Sequence, residues 1–253
     1  MSNIVEIPLV DAFDNEITLK GYLTIPNVKV DKIPPFVIFV HGSGSSKDSP
    51  RNQYLAQHLN KSGVGTFLFD LLTKQEEESD RKVQETLQKK THGLTLNKFN
   101  VSLLSDRLIK VTNYLLQIPQ LQPQGEPRQL NIGYFGASTG AAAALIAGAQ
   151  LSLKTKWIKT IVSRGGRPDL ILPNSYVSFQ DSISESIRNL PILFIIGEKD
   201  KLILDLTSKF IKKLNMQENS KVEKVNNATH LFEEPGALEK VEDIAEKWFL
   251  QYL

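Results

Sequence analysis

The chain has 253 residues, 41% of them hydrophobic and 23% charged, a composition that suits a soluble globular protein with a sizeable core. Its 30 Lys and Arg stand against 28 Asp and Glu, and a net charge of +2 gives no concentrated basic surface of the kind nucleic acid requires. Cysteine is absent, which excludes disulfides, thiolate metal sites and cysteine nucleophiles.

The N-terminus, MSNIVEIPLVDAFDNE, lacks a positive start followed by an apolar run, so no export signal is expected. The apolar runs FVIFV and ILFII are too short to cross a bilayer, and a cytoplasmic protein without a membrane partner is the expectation. Two alternating segments, 4–10 and 16–25, flank Asp14-Asn15 and predict antiparallel strands joined by a turn. After Pro34-Pro35 the texture changes. Segments 36–40, 64–72, 131–137, 158–164, 191–197 and 221–226 are short strand candidates, most of them apolar on both faces, as buried parallel strands are. Helical spacing marks 51–63, 101–118, 139–151, 202–215 and 234–253 between and after them. Alternation of strand and helix implies right-handed crossovers and a parallel sheet covered on both faces. A single domain over 1–253 is expected. Segment 73–100 interrupts the rhythm with a highly charged insertion, read as a solvated surface helix plus loop or as a small cap over a site. Segment 117–129 reads as a surface loop.

The stretch 132–146, IGYFGASTGAAAALI, places Ser138 in a G-x-S-x-G pattern between a strand and an alanine-rich helix. A turn this tight needs flanking residues without bulk, and it would hold the serine hydroxyl at the edge of the sheet above a helix N-terminus. The plainer reading is a serine cap on an ordinary strand–helix turn. A serine needs a base to become a nucleophile, and the chain offers four histidines. His58 lies in an amphipathic helix and His92 in the charged insertion. His41 follows strand 36–40, where its glycine neighbours suggest a backbone role. His230 follows the last strand and can hang over Ser138. Asp200, in the turn after strand 191–197, would orient it, with Glu198 and Asp169 as alternatives and a helix cap as the plainer role. The order Ser138, Asp200, His230 is the order a nucleophile elbow requires. The backbone N–H of Thr139 would be the first oxyanion donor. Loop 40–52, VHGSGSSKDSPRN, offers the second at Ser43, with Gly44 behind it. That loop fails the phosphate-binding patterns, because Lys47 stands where glycine is needed. Arg164 and Arg167 could clamp a substrate carboxylate or brace the loop against Asp169. His41 and Gly44 are further candidates for substrate contact.

Loop HGSGSS, the elbow GYFGASTGAAAAL, and the segments IVSRGGRPDL, IIGEKD and ATHLFEEPGALEKV together resemble the α/β-hydrolases, and within them the dienelactone hydrolase-like group. The resemblance covers nearly the whole chain. It implies an eight-stranded, mostly parallel sheet with antiparallel N-terminal strands and helices on both faces, and a triad of Ser138, Asp200 and His230. Dienelactone hydrolases carry cysteine as nucleophile, whereas this chain has serine, as general carboxylesterases do. The expected activity is hydrolysis of a small ester or lactone through an acyl-enzyme, with no metal or cofactor. A degenerate binding module, an acyltransferase and a peptidase of the same fold are the alternatives.

Overall fold

Short runs rich in β-branched and aromatic residues form strands buried on both faces here, because helices cover the sheet from either side. The computed structural model describes residues 2–11, 14–26, 34–87, 96–118, 121, 130–171 and 181–253. The strands are β1 (Ser2–Val10), β2 (Glu16–Thr24), β3 (Phe36–Val40), β4 (Gly65–Phe69), β5 (Ile132–Ala137), β6 (Ile158–Arg164), β7 (Ile192–Gly197) and β8 (Ser220–Val225). They join into one eight-stranded sheet in the order β1-β2-β4-β3-β5-β6-β7-β8. β1 pairs antiparallel with β2, and β2 antiparallel with β4; every other pairing is parallel. This is the α/β-hydrolase architecture expected from the sequence.

The helices are α1 (Pro50–Lys61), α2 (Lys74–Leu87), α3 (Val101–Leu115), α4 (Thr139–Ser152), α5 (Asp181–Asn189), α6 (Lys201–Lys213) and α7 (Ala237–Tyr252). Alternate strand residues feed two separate cores. Phe36, Ile38 and Tyr134 pack with α3, α4 and α6, whereas Val37, Phe39 and Phe135 pack with α1 and α7. α4 is apolar on every side and almost wholly buried, with the sheet beneath it and α3 and α5 beside it. Its alanines let it lie close to the strands. Among the described residues, no helix is long and apolar enough to cross a membrane.

Three features depart from the sequence reading or lie beyond the structure. α5 was not expected, because its buried face consists of little more than Ile183 and Ile187 in a polar segment. The insertion forms α2 and a short 3-10 turn at Asn97–Phe99, while residues 88–95, His92 among them, lie outside the described residues. So does most of the expected loop 117–129.

Candidate active site

The site grows from the end of β5. Ser138 has φ 50° and ψ −118°, a strained conformation for a residue with a side chain. The glycines beside it explain how the chain turns so tightly. A methyl group at Gly140 would lie 2.2 Å from the Val40 carbonyl oxygen, and one at Gly136 would lie 2.5 Å from Ala141 Cα. Only glycine lets α4 start this close to β3. Ser138 makes no side-chain capping bond to α4, so the plainer reading of it as an ordinary helix cap does not hold. Its backbone is fixed instead, donating to Arg164 O at 3.1 Å and accepting from Ala141 N at 3.1 Å and Arg167 N at 3.2 Å.

His230 arrives at the same edge from the loop after β8. Its ring packs over Gly165, where an added methyl group would lie 3.3 Å from Cε1. Gly165 directly follows Arg164, the residue that holds the Ser138 N–H. His230 Nδ1 lies 2.6 Å from Asp200 Oδ2. Asp200 Oδ1 accepts from Ile203 N at 3.3 Å and caps α6, so one carboxylate makes both the helix cap and the contact with His230. The two alternative acids are engaged elsewhere. Glu198 accepts from Asn227 N at 2.9 Å, and Asp169 holds Arg167. His58 sits between Glu242 and Glu246 of α7.

On the other side of the elbow stands the loop after β3. His41 is buried; its Nε2 accepts the Leu71 N–H at 2.9 Å, which leaves Nδ1 protonated and 3.0 Å from Gly42 O. Burial holds its pKa below the ordinary histidine value. His41 therefore ties this loop to the end of β4, the backbone role its neighbours suggested. Gly44 takes φ 75° in the turn closed by Ser45 N to Gly42 O at 3.1 Å. The Thr139 N–H, first in α4, has no partner among the described residues. The Ser43 N–H, the other expected donor, is engaged: it donates to Thr139 Oγ1 at 2.9 Å.

The two arginines part company. Arg167 grips Asp169 with Nε at 2.8 Å and Nη2 at 2.7 Å, and so braces its loop. The Arg164 guanidinium has no hydrogen bond or ion pair among the described residues and lies 5.8 Å from the Phe135 ring centroid. Burial, and secondarily Arg51, bring its pKa down to about 10.

A cavity of about 340 Å³ opens between the HGSGSS loop and α2. Leu71, Leu72 and Leu104 give it an apolar floor, and Ser43 and Thr139 line it where it meets the elbow. Its outer wall is the inner face of α2, in the segment for which the sequence offers both a solvated surface helix and a small cap. Glu77, Asp80, Arg81 and Gln84 of α2 line it, and Arg81 also pairs with the exposed Glu78 and Glu85. The inner face is pinned twice. Glu76 receives Arg107 Nη1 at 2.7 Å, and the same nitrogen donates to Leu71 O at 2.8 Å. Asp80 accepts from Asn97 N at 2.8 Å and Lys98 N at 2.9 Å. Burial alone would raise the Glu76 carboxyl, but its bonds to Arg107 and Thr73 hold it below the ordinary glutamate value. Two signals for this wall were present: Thr73 with Glu76 is a capping box, and Arg107 falls on the apolar stripe of α3. Among the described residues, no group of three or more His, Asp or Glu is placed to hold a metal ion.

A crystal structure of a dienelactone hydrolase from Anabaena variabilis is 36% identical, covers 100% of this chain and 98% of its own, and superposes with a TM-score of 0.78. Est1E from Butyrivibrio proteoclasticus shares the fold at 16% identity, with a TM-score of 0.65 over 97% of this chain and 98% of its own. Two Mycobacterium tuberculosis proteins named "Putative phosphoribosyl transferase" are 38% identical over 237 residues, 94% of this chain. The match spans 44% of their length. No family model matches the chain.

Proposed function

The chain belongs to the dienelactone hydrolase-like group of the α/β-hydrolase superfamily, and from the site it carries we propose a serine hydrolase that cleaves a small carboxylic ester or lactone through an acyl-enzyme. The observation that carries this reading is the Asp200–His230 contact of 2.6 Å at the sheet edge that also presents a strained, uncapped Ser138. In the proposed reaction His230 Nε2 takes the Ser138 hydroxyl proton as Oγ attacks the ester carbonyl. Asp200 holds the Nδ1–H tautomer and stabilises the imidazolium. The unpartnered Thr139 N–H receives the oxyanion, and the Ser43 N–H joins it by exchanging Thr139 Oγ1 for the charged oxygen. His230 then returns its proton to the leaving oxygen. Water, deprotonated by the same imidazole, releases the acid and restores Ser138. The Ser138 hydroxyl has no partner among the described residues, in keeping with catalytic bonds that close only around substrate.

The transferase name of the mycobacterial relatives belongs to proteins of which this chain matches 44%. The HGSGSS loop is not arranged as a phosphate cradle. A phosphate cradle needs free backbone N–H groups. In the HGSGSS loop and the turn after it the N–H groups of Ser43, Ser45, Lys47, Asp48 and Ser49 already have protein acceptors. A fluorophosphonate probe tests the hydrolase reading. Covalent labelling confined to Ser138 is expected, and an unlabelled protein would remove the serine from the mechanism.

A further inference from the structure

We infer that the cavity between the HGSGSS loop and α2 is the acyl-binding subsite, and that it takes a compact, mainly apolar acyl group of roughly ten non-hydrogen atoms. The inference rests on the hydrolase reading and deepens it. Direction comes from the sheet. Ser138 ends β5, with β3 and β4 on one side and β6, β7 and β8 on the other. His230 comes from beyond β8 and packs over Gly165 at the end of β6. The leaving oxygen must face His230 to receive its proton, so the leaving group departs over β6–β8. The acyl substituent takes the opposite direction, over β3 and β4. There the cavity begins, bordered by Ser43 and Thr139, the two residues whose N–H groups would hold the oxyanion.

Size and chemistry come from the walls. Leu71, Leu72 and Leu104 make the floor apolar, while Glu77, Asp80, Arg81, Gln84 and Lys98 line the outer side, so the apolar part of the acyl group lies against the floor. A volume of about 340 Å³, at about 30 Å³ per water-sized group, gives the limit of roughly ten atoms. The outer wall is held in place. Arg107, itself 2% exposed, binds both the Leu71 carbonyl of the floor and the Glu76 carboxylate of the wall. Asp80 fastens the same helix one turn further on. α2 is thus held over the floor by charge-assisted bonds and bounds the cavity on its outer side.

The test is a series of p-nitrophenyl esters with acyl chains from two to sixteen carbons, assayed on the whole chain. Turnover per KM is expected to rise to a medium-chain optimum and fall at least tenfold beyond ten carbons. Leu104→Phe should lower the octanoyl-to-acetyl ratio of kcat/KM at least tenfold. Gln84→Trp, at an exposed position on the cavity wall, should shift the ratio the same way should the first variant fail to fold. Glu76→Met combined with Arg107→Met, which replaces the pair by apolar groups of similar volume, should raise the dodecanoyl-to-acetyl ratio. Unchanged ratios in folded variants that still hydrolyse acetyl ester overturn the subsite and leave the hydrolase standing. A shift in preference among alcohols, with acyl preference unmoved, places the leaving group in the cavity and overturns it too. Absence of hydrolysis for every ester, together with no fluorophosphonate labelling, overturns both.

Discussion

His230 Nδ1 lies 2.6 Å from one oxygen of Asp200 while the other oxygen caps α6 at Ile203 N, 3.3 Å away. The two contacts can be separated by substitution. Asp200→Asn keeps an oxygen for the cap but loses the charge and the tautomer control, so kcat should fall about 10⁴-fold with little change in melting temperature. Asp200→Ala should lose as much activity and about 1 kcal/mol of stability as well, through the lost cap. Paired kinetics and thermal melts on the two variants check this.

Ser138 has a backbone conformation that glycine adopts more readily than any residue with a side chain. Ser138→Ala should lower kcat by about 10³-fold or more, the usual consequence of removing a nucleophile. Ser138→Gly should be equally inactive yet more stable than the alanine variant by on the order of 1 kcal/mol, because the strain at φ 50° is relieved. Urea titration of both gives the difference. An alanine variant as stable as the glycine variant would remove strain from the account of the elbow.

Gly140→Ala should destabilise severely, by about 3 kcal/mol or more, since its methyl group would lie 2.2 Å from Val40 O and 2.4 Å from His41 O. Both atoms are backbone, so no side-chain rotation relieves the clash. Soluble yield and melting temperature report the outcome.

Arg164 and Arg167 should respond in opposite ways. Arg164→Met removes a largely desolvated cation with no anion beside it, and should leave stability unchanged or raise it by up to about 1 kcal/mol. Arg167→Met leaves Asp169 without its bidentate partner, and should lower stability. If a substrate carboxylate meets Arg164, KM for carboxylate-bearing esters rises in the first variant, and KM for neutral esters does not.

The His41 loop should weaken in acid. Its folded pKa is lowered by burial, so the unfolded chain takes up a proton at higher pH than the native protein. The stability held by the neutral ring is complete above the ordinary histidine value of about 6.5, and is lost as pH falls through the lowered value. Protonated Nε2 could no longer accept the Leu71 N–H. The melting-temperature gap between the protein and its His41→Gln variant should therefore narrow between pH 8 and pH 5. A constant gap would mean that the ring titrates alike in both states.

The sheet is legible in the sequence because its strands are short apolar runs set off by helical spacing, and all eight lie within a few residues of the expected positions. Ser138, Asp200 and His230 are legible as residues of one sheet edge because each follows a strand there. What the sequence hides is carried by single long-range bonds. Glu76 and Arg107 stand 31 positions apart, and neither segment alone shows that a charged helix will be fastened over a cavity. A cap and a partner for His230 read as alternatives for Asp200 in the sequence, whereas a carboxylate has two oxygens and makes both contacts. The engagement of the Ser43 N–H by Thr139 Oγ1 depends on how closely two loops approach, which no local pattern records.

That last bond bears on how the proposed enzyme would tell a transition state from a substrate. Thr139 Oγ1 is a neutral acceptor, about as good for the Ser43 N–H as the carbonyl oxygen of an intact ester. Swapping one for the other gains almost nothing while the ester is still whole. Once the carbonyl oxygen carries full negative charge it outcompetes the threonine hydroxyl, since a charge-assisted bond is roughly twice as strong. A resting site that keeps its own donor occupied would thus withhold affinity from the ground state and release it along the reaction coordinate.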